Sequence, residues 1–310
     1  MKRRDFLKTS ALAGAAITLN FKELQAALLN HEIAVEKAPD LVAVMGGEPA
    51  VMLDKALEAL GGIERFVKKG QKIVIKPNIG WDKTPEYAGN TNPLLIESLV
   101  KKCLAAGAEK VTVFDHTCDN WQKCYESSGI KEAVSRAGGI MMPGNEERYF
   151  TEVSLPEGTN LKTAKIHKAL LEADAWINVP VLKNHSGAKM TCAMKNHMGI
   201  VWDRRFFHKN DLHQCISDIC TWEKRPVLNI VDAYRVLFRN GPQGKTLQDT
   251  VKIKSLIAST DIVAADTAAL RLFNQITKLD LAAVSHIGDG EKHHLGTTDL
   301  KKLTIKQIKL

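Results

Sequence analysis

The stretch from Asn178 to Val201, NVPVLKNHSGAKMTCAMKNHMGIV, concentrates side chains that bind and move charge. It holds two Lys-Asn-His triplets, Lys183-Asn184-His185 and Lys195-Asn196-His197. Lysine supplies a point charge and asparagine a directional amide, a combination that suits a carboxylate or phosphate. Histidine titrates near neutrality, which makes His185 the candidate general acid/base. Gly187 and Gly199 flank the cluster, where the lack of a Cβ lets backbone approach closely. Three more apolar runs end in polar residues: Lys76-Pro77-Asn78, Asp115-His116 and Asp232. Ligands of parallel α/β sheets bind beyond the carboxyl ends of the strands, so these endings are expected to converge. The anion-binding candidates are Lys76, Asn78, Lys183, Lys195 and Asn196. The catalytic candidates are His185, Asp115 and Asp232, with an aspartate orienting either a base or a metal.

Other chemistries leave weaker marks. His185, His197, His208 and His213, with Asp115, Asp232 or Asp266, form a candidate set for one divalent ion, although their spacing matches no strong metal motif. Met190, Met194 and Met198 recur every fourth residue, the pattern of a core-facing helix stripe rather than a copper site. The six cysteines contain no C-x-x-C pair, which argues against an iron–sulfur cluster or zinc ribbon. Cys118 with Cys124, and Cys215 with Cys220, are spaced for local disulfides or for small buried hydrophobes. A spacing of five on one helix puts Cys215 and Cys220 on different faces, against the second bridge. No strand is followed by G-x-G-x-x-G, and neither a Walker loop nor a G-x-S-x-G elbow is present, so no dinucleotide motif exists.

The elements that must carry these residues alternate strand and helix. Apolar runs at Leu41–Met45, Lys72–Ile75, Lys110–Phe114, Ile140–Met142, Ala175–Val181, Val227–Val231, Lys252–Ala258 and Leu303–Ile308 read as strands. Helices are expected over Ala50–Val67, Pro93–Ala106 (with Leu94, Leu95, Leu99 and Leu104 on its apolar side), Lys131–Ala137 and Asp211–Trp222. Another helix starts at Asp261, placed as its N-cap. Continuous apolar strands between helices predict an α/β fold, a mostly parallel sheet covered on both faces. Tyr149–Leu155 and Leu161–His167 predict a small antiparallel excursion in the middle. Asn240 to Gly244 is a turn-rich loop of the kind that closes over sites.

The first residues, Met1-Lys2-Arg3-Arg4-Asp5-Phe6-Leu7-Lys8, look like a twin-arginine export leader. The apolar stretch Ala11–Leu19 falls well short of the roughly twenty residues that span a bilayer. The exit near Gln25-Ala26-Ala27 half matches a cleavage site, so both cleavage and retention as an anchor are open. Residues 1–30 are therefore set aside as signal, and 40–310 are expected to form one α/β domain with no membrane span. The leader's five Lys/Arg and two Asp/Glu account for three of the eight net positive charges. With aromatic residues at 6% and no basic stripe, nothing favours nucleic acid as a partner.

Taken in order, several motifs resemble the domain of unknown function 362 family. They are Lys76-Pro77-Asn78, Asn178-Val179-Pro180-Val181-Leu182-Lys183-x-His185, and Lys195-Asn196-x-Met198-Gly199. Asp232-Ala233, then Gly241, Pro242 and Gly244, and Asp261-x-Val263-x-x-Asp266 complete the pattern. The resemblance spans most of residues 40–290. It implies a shared α/β domain, supports the polar cluster as a site and fits a twin-arginine leader. Some members carry a ferredoxin-like domain whose cysteine runs are missing here. It supplies no reaction. The expectation is an exported, periplasmic or extracytoplasmic enzyme acting on a small anionic substrate, with redox-linked and metal-assisted chemistry both open. The alternative is a non-catalytic periplasmic accessory protein that binds a ligand or metal. The export machinery is the one protein partner implied.

Overall fold

A computed structural model describes residues 38–310, and the expected leader lies outside the described residues. The strands are β1 (Leu41–Met45), β2 (Lys72–Pro77), β3 (Lys110–Val113), β4 (Ile140–Met141), β5 (Phe150–Ser154), β6 (Thr163–His167), β7 (Ala175–Val179), β8 (Val181–His185), β9 (Lys189–Thr191), β10 (Leu228–Leu237), β11 (Thr250–Ser259) and β12 (Ile305–Lys309). The helices are α1 (Pro49–Ala59), α2 (Pro93–Ala105), α3 (Trp121–Ser127), α4 (Ile130–Arg136), α5 (Lys168–Glu172), α6 (Ala193–Asn196), α7 (Arg204–Lys209), α8 (Leu212–Ile219), α9 (Ile262–Phe273) and α10 (His286–Lys292).

The main sheet runs β12-β1-β11-β10-β7-β2-β3-β4, with β8 on β10 and β9 on β8. Neighbours are parallel except at β11, which is antiparallel to both β1 and β10, and at β9. Lys252–Ala258 therefore lies in a strand of opposite direction within the mostly parallel fold. The strands β5 and β6 pair antiparallel in a separate two-stranded sheet, the excursion expected from their sequence. Alternation along each strand feeds a core on either face: Ile73 and Ile75 enter one cluster, Val74 the other. Lys76 shares the side of Val74, and Asn178 that of Trp176. Both therefore face the layer built by α6, α8 and α9.

Local chemistry sets the boundaries that matter to the site. The helix expected to Val67 stops at Ala59 because Gly61 and Gly62 adopt φ of 93° and 91°; a single 3-10 turn, Ile63–Arg65, follows. In α2, Asn92 caps Leu94 N and Pro93 starts the helix, but Leu94 is exposed; Leu95, Ile96, Leu99, Val100 and Cys103 form the buried stripe. Pro180 lacks an N–H and splits the expected strand Ala175–Val181 into β7 and β8. Lys183 and His185 consequently ride on β8 rather than in a loop. Met190, Met194 and Met198 are all buried, as a core stripe should be, but they lie on β9, on α6 and in a 3-10 turn. All six cysteines are free thiols, five of them buried and Cys118 exposed.

A single turn such as α6 is too short to hold itself together, because helix nucleation is unfavourable. Its N-terminus is held by Asp266 of α9, whose fully buried carboxylate accepts from Ala193 N at 2.6 Å and Met194 N at 3.0 Å. Asp261 caps α9 itself, accepting from Ala264 N at 2.8 Å, as expected. Asp266→Ala leaves two buried N–H groups without acceptors and is expected to cost about 2 kcal/mol. For a chain of this size that lowers Tm by about 3–4 °C, readable by calorimetry.

Candidate functional site

Beyond the carboxyl ends of β2, β3 and β7, Lys76 Nζ meets Asp115 Oδ1 at 2.9 Å, and both side chains are buried. Asp115 Oδ2 accepts from Ile79 N at 2.6 Å, and Lys76 donates to Asn196 Oδ1 at 2.8 Å. Asn78 Nδ2 shares that oxygen at 3.1 Å, and Lys183 Nζ donates to Asn78 Oδ1 at 3.0 Å and to Gly89 O. One continuous polar cluster thus joins β2, the end of β3, β8 and α6. Together with Lys195 it floors a cleft of about 1110 Å³. The far wall comes from the β5–β6 hairpin, with Trp202, Arg204 and Phe206 beside it.

The three lysines share a residue type and differ in surroundings. Burial pulls the Lys76 ammonium below the usual lysine range, and Asp115 opposes that pull. Among the described residues, neither Lys183 nor Lys195 has a carboxylate within ion-pair distance. Burial and neighbouring cations push Lys183 down to about 7 and Lys195 to about 8. Lys195 is half-buried in the cleft floor, and no hydrogen bond holds its Nζ among the described residues.

The histidines are committed to particular tautomers. His185 Nδ1 accepts from Gly187 N at 3.1 Å and Ala188 N at 3.2 Å, which leaves the proton on Nε2. Burial, then Lys195 and Lys183, pushes this ring down to about 2, so at neutral pH it is an uncharged hydrogen-bond donor. His116, which lines the same cleft, has the opposite arrangement. Its Nδ1 lies 2.8 Å from Val201 O and donates to it, leaving Nε2 as an acceptor, and the ring stacks on Trp202.

Of the residues singled out by sequence, Lys76, Asn78, Asp115, Lys183, His185, Lys195, Asn196 and His208 line the cleft. Asp232 does not. It belongs to the opposite sheet face and accepts from Asn92 N at 2.7 Å and Tyr234 N at 3.0 Å. His197 is buried edge-on against Trp176, and Asp266 is spent on capping α6. His213 pairs with His286, their Nδ1 atoms 2.9 Å apart. Among the described residues, no three His, Cys, Asp or Glu side chains gather so as to hold a metal ion. The candidate metal set therefore does not converge.

Three contributors lacked a clear sequence signal. Arg204 donates to His116 O at 2.8 Å, Thr117 O at 2.6 Å and Cys118 Sγ at 3.3 Å, clamping the segment after Asp115. Asn178 Nδ2 donates to Asn229 Oδ1 at 2.9 Å, while its own Oδ1 accepts from Asn196 at 2.8 Å. These amides are fully or almost fully buried within strands or helix, where sequence alone reads them as interruptions of an apolar run.

A model of twin-arginine translocation signal sequences matches residues 1–19, and a model described as a domain of unknown function, DUF362, matches residues 73–271. The thylakoid-associated protein sll1697 of Synechocystis sp. is 24% identical over 259 residues, covering 81% of this chain and 77% of that protein. The lactate racemase apoprotein from Thermoanaerobacterium thermosaccharolyticum is 12% identical at a TM-score of 0.44, over 72% of this chain and 55% of that one. A Thermotoga maritima protein is 13% identical at the same TM-score of 0.44, over 74% of this chain and 60% of that one. This chain thus spans less than two thirds of the length of either solved protein. No helix among the described residues is long and apolar enough to cross a membrane.

Gly199 is where the cluster meets its tightest packing. A Cβ there would overlap both Asp115 Oδ1 and Lys76 Nζ. Gly199→Ala must therefore force the ion pair apart, at a cost of about 3 kcal/mol or more, because an uncompensated charge stays buried. Urea unfolding of the variant should show that loss, whereas Gly70→Ala, at a site open to solvent but with φ of 81°, should cost only the smaller backbone strain.

Proposed function

The chain belongs to the domain of unknown function 362 family and is exported by the twin-arginine route; on that premise we propose that it is an enzyme acting on a small anionic substrate. The observation that carries this reading is the pair of lysines on the cleft floor, Lys183 and Lys195, with no carboxylate partner among the described residues. The cleft lining carries seven Lys/Arg side chains against four Asp/Glu, and an excess of one sign of charge concentrates oppositely charged ligands. Lys195 is the anchor for the substrate's acid group, with Asn196 and Asn78 fixing the floor around it. Lys76 is already balanced by Asp115 and serves to hold that floor in place.

An enzyme also needs a group that exchanges protons near neutral pH. His185 is held neutral with its proton on Nε2 and suits hydrogen bonding to the substrate. Lys183, at about 7, is the side chain poised for proton transfer. The acid/base role expected for His185 is therefore assigned to Lys183 in this reading. An accessory protein that only carries an anion would need the anchor and not the poised amine.

Oxalate keeps a constant charge between pH 6.5 and 9 and reports on the floor alone. Lys183 and Lys195 are protonated below their pKa values and lose charge above them, so affinity should be highest at pH 6.5. By pH 9 it should fall roughly tenfold or more. Calorimetry at a series of pH values checks this, and Lys195→Met should both weaken binding and flatten the profile. Equal affinity in wild type and a Lys183→Met, Lys195→Met double variant would sink the reading.

A further inference from the structure

We propose that Lys183 is also a nucleophile, forming an imine with the carbonyl carbon of a 2-oxo acid whose carboxylate is held by Lys195. The inference rests on the anion-binding reading above and goes beyond it by naming a covalent step and a substrate class.

The argument begins with valence. Lys183 Nζ has two acceptors, Asn78 Oδ1 at 3.0 Å and Gly89 O, and no third among the described residues. A neutral amine has two N–H groups and one lone pair. Both N–H groups are used by these acceptors, so the lone pair is left as the remaining valence of a side chain that lines the cleft. The geometry therefore leaves the deprotonated amine, once formed, with both N–H groups satisfied and a free lone pair at the cleft. Neighbouring Lys195 and Lys76 act in the same direction, since cations nearby disfavour a further positive charge.

Lys76 and Lys195 do not meet these conditions. Lys76 is tied to Asp115 and to Asn196 and is not free to attack a ligand. Lys195 lacks the two fixed acceptors and is better used as a counter-ion. A 2-oxo acid fits this division, because its carboxylate and carbonyl are on adjacent carbons. The amine lone pair attacks the carbonyl carbon, and the carbonyl π pair moves to oxygen. A proton passes from nitrogen to that oxygen, giving a carbinolamine. Loss of one water, its oxygen taken from the carbonyl and both its hydrogens from the amine, leaves the C=N bond. The step involves no net oxidation or reduction. His185, an Nε2–H donor on the same cleft wall, is suited to hydrogen-bond the departing oxygen.

Borohydride reduces an imine to a stable secondary amine and so records its position. The mature protein is incubated with pyruvate and sodium borohydride, then analysed by intact mass and peptide mapping. The expected result is a reduced pyruvate adduct on the peptide carrying Lys183, lost in Lys183→Arg and suppressed by excess oxalate, which has the acid groups without the ketone. Adducts spread over exposed lysines such as Lys301 and Lys302, unaffected by oxalate, would overturn the proposal. Oxalate and pyruvate binding in calorimetry without trapping at Lys183 would also overturn it, while leaving the anion site intact. Failure to bind either anion would remove the underlying reading as well. Mapping on the wild-type protein decides the point even if Lys183→Arg does not fold.

Discussion

The buried pair between Lys76 and Asp115 is the interaction on which the cleft depends. Taking both charges out of water is expensive, and such a pair survives only when the remaining donors and acceptors are used. Here Ile79 N takes the second carboxylate oxygen, and Asn196 takes a further ammonium proton. These partners come from β2, the segment after β3, and α6, so satisfying one ion pair fixes three pieces of chain relative to each other. Gly199 completes the arrangement by leaving out the one atom that would occupy the same space. The pair therefore sets where Asn78 and Asn196 lie, and through Asn78 it sets the orientation of Lys183.

Behind the pair, a row of polar side chains crosses the sheet. Strand register places Lys76 beside Asn178, Asn178 beside Asn229, and Asn229 beside Ser259. Asn196 donates to Asn178, Asn178 to Asn229, Asn229 to Ser259 O at 3.4 Å, and Ser259 Oγ to Asp40 O at 2.7 Å. Each amide is oriented by the next, since its oxygen and nitrogen cannot be exchanged without losing a bond at both ends. Buried networks of this kind are stabilising only when complete, and they hold a site rigidly when they are. The short α6 needs that support, because its four residues carry both Lys195 and Asn196.

Much of this was legible in the sequence, and the misses have definite causes. The alternation of apolar runs and helices predicted the mostly parallel sheet, and the polar residues at strand ends predicted the cleft. Direction was harder: nothing in Lys252–Ala258 distinguishes a buried antiparallel strand from a parallel one. Asp232 ends an apolar run and so reads as a site residue, yet the period of two along β10 sends it to the face opposite Asn229. Counting parity from Val231 would have favoured Asn229. The histidines and Asp266 could not be sorted by spacing, because each role depends on a contact far away in sequence, such as Asp266 with Ala193. Arg204 carries no local signal in the sequence, and only the fold brings it to the segment after β3.

The same dependence on neighbours explains how like residues acquire unlike chemistry. Lys76, Lys183 and Lys195 are equivalent in composition, but one is paired with a carboxylate, one is held by two neutral acceptors and one has no partner among the described residues. Two of the cleft histidines divide similarly, His185 as a donor and His116 as an acceptor, because one Nδ1 faces backbone N–H groups and the other a carbonyl. A ligand that satisfies this surface must bring negative charge to the floor and an acceptor to His185. It must also bring either a donor or a bridging water to His116. An isolated simple anion meets only the first requirement. The cleft volume of about 1110 Å³ leaves room for the rest of such a molecule against the Trp202 wall, so specificity should come from the body of the ligand while the lysine floor supplies its attraction.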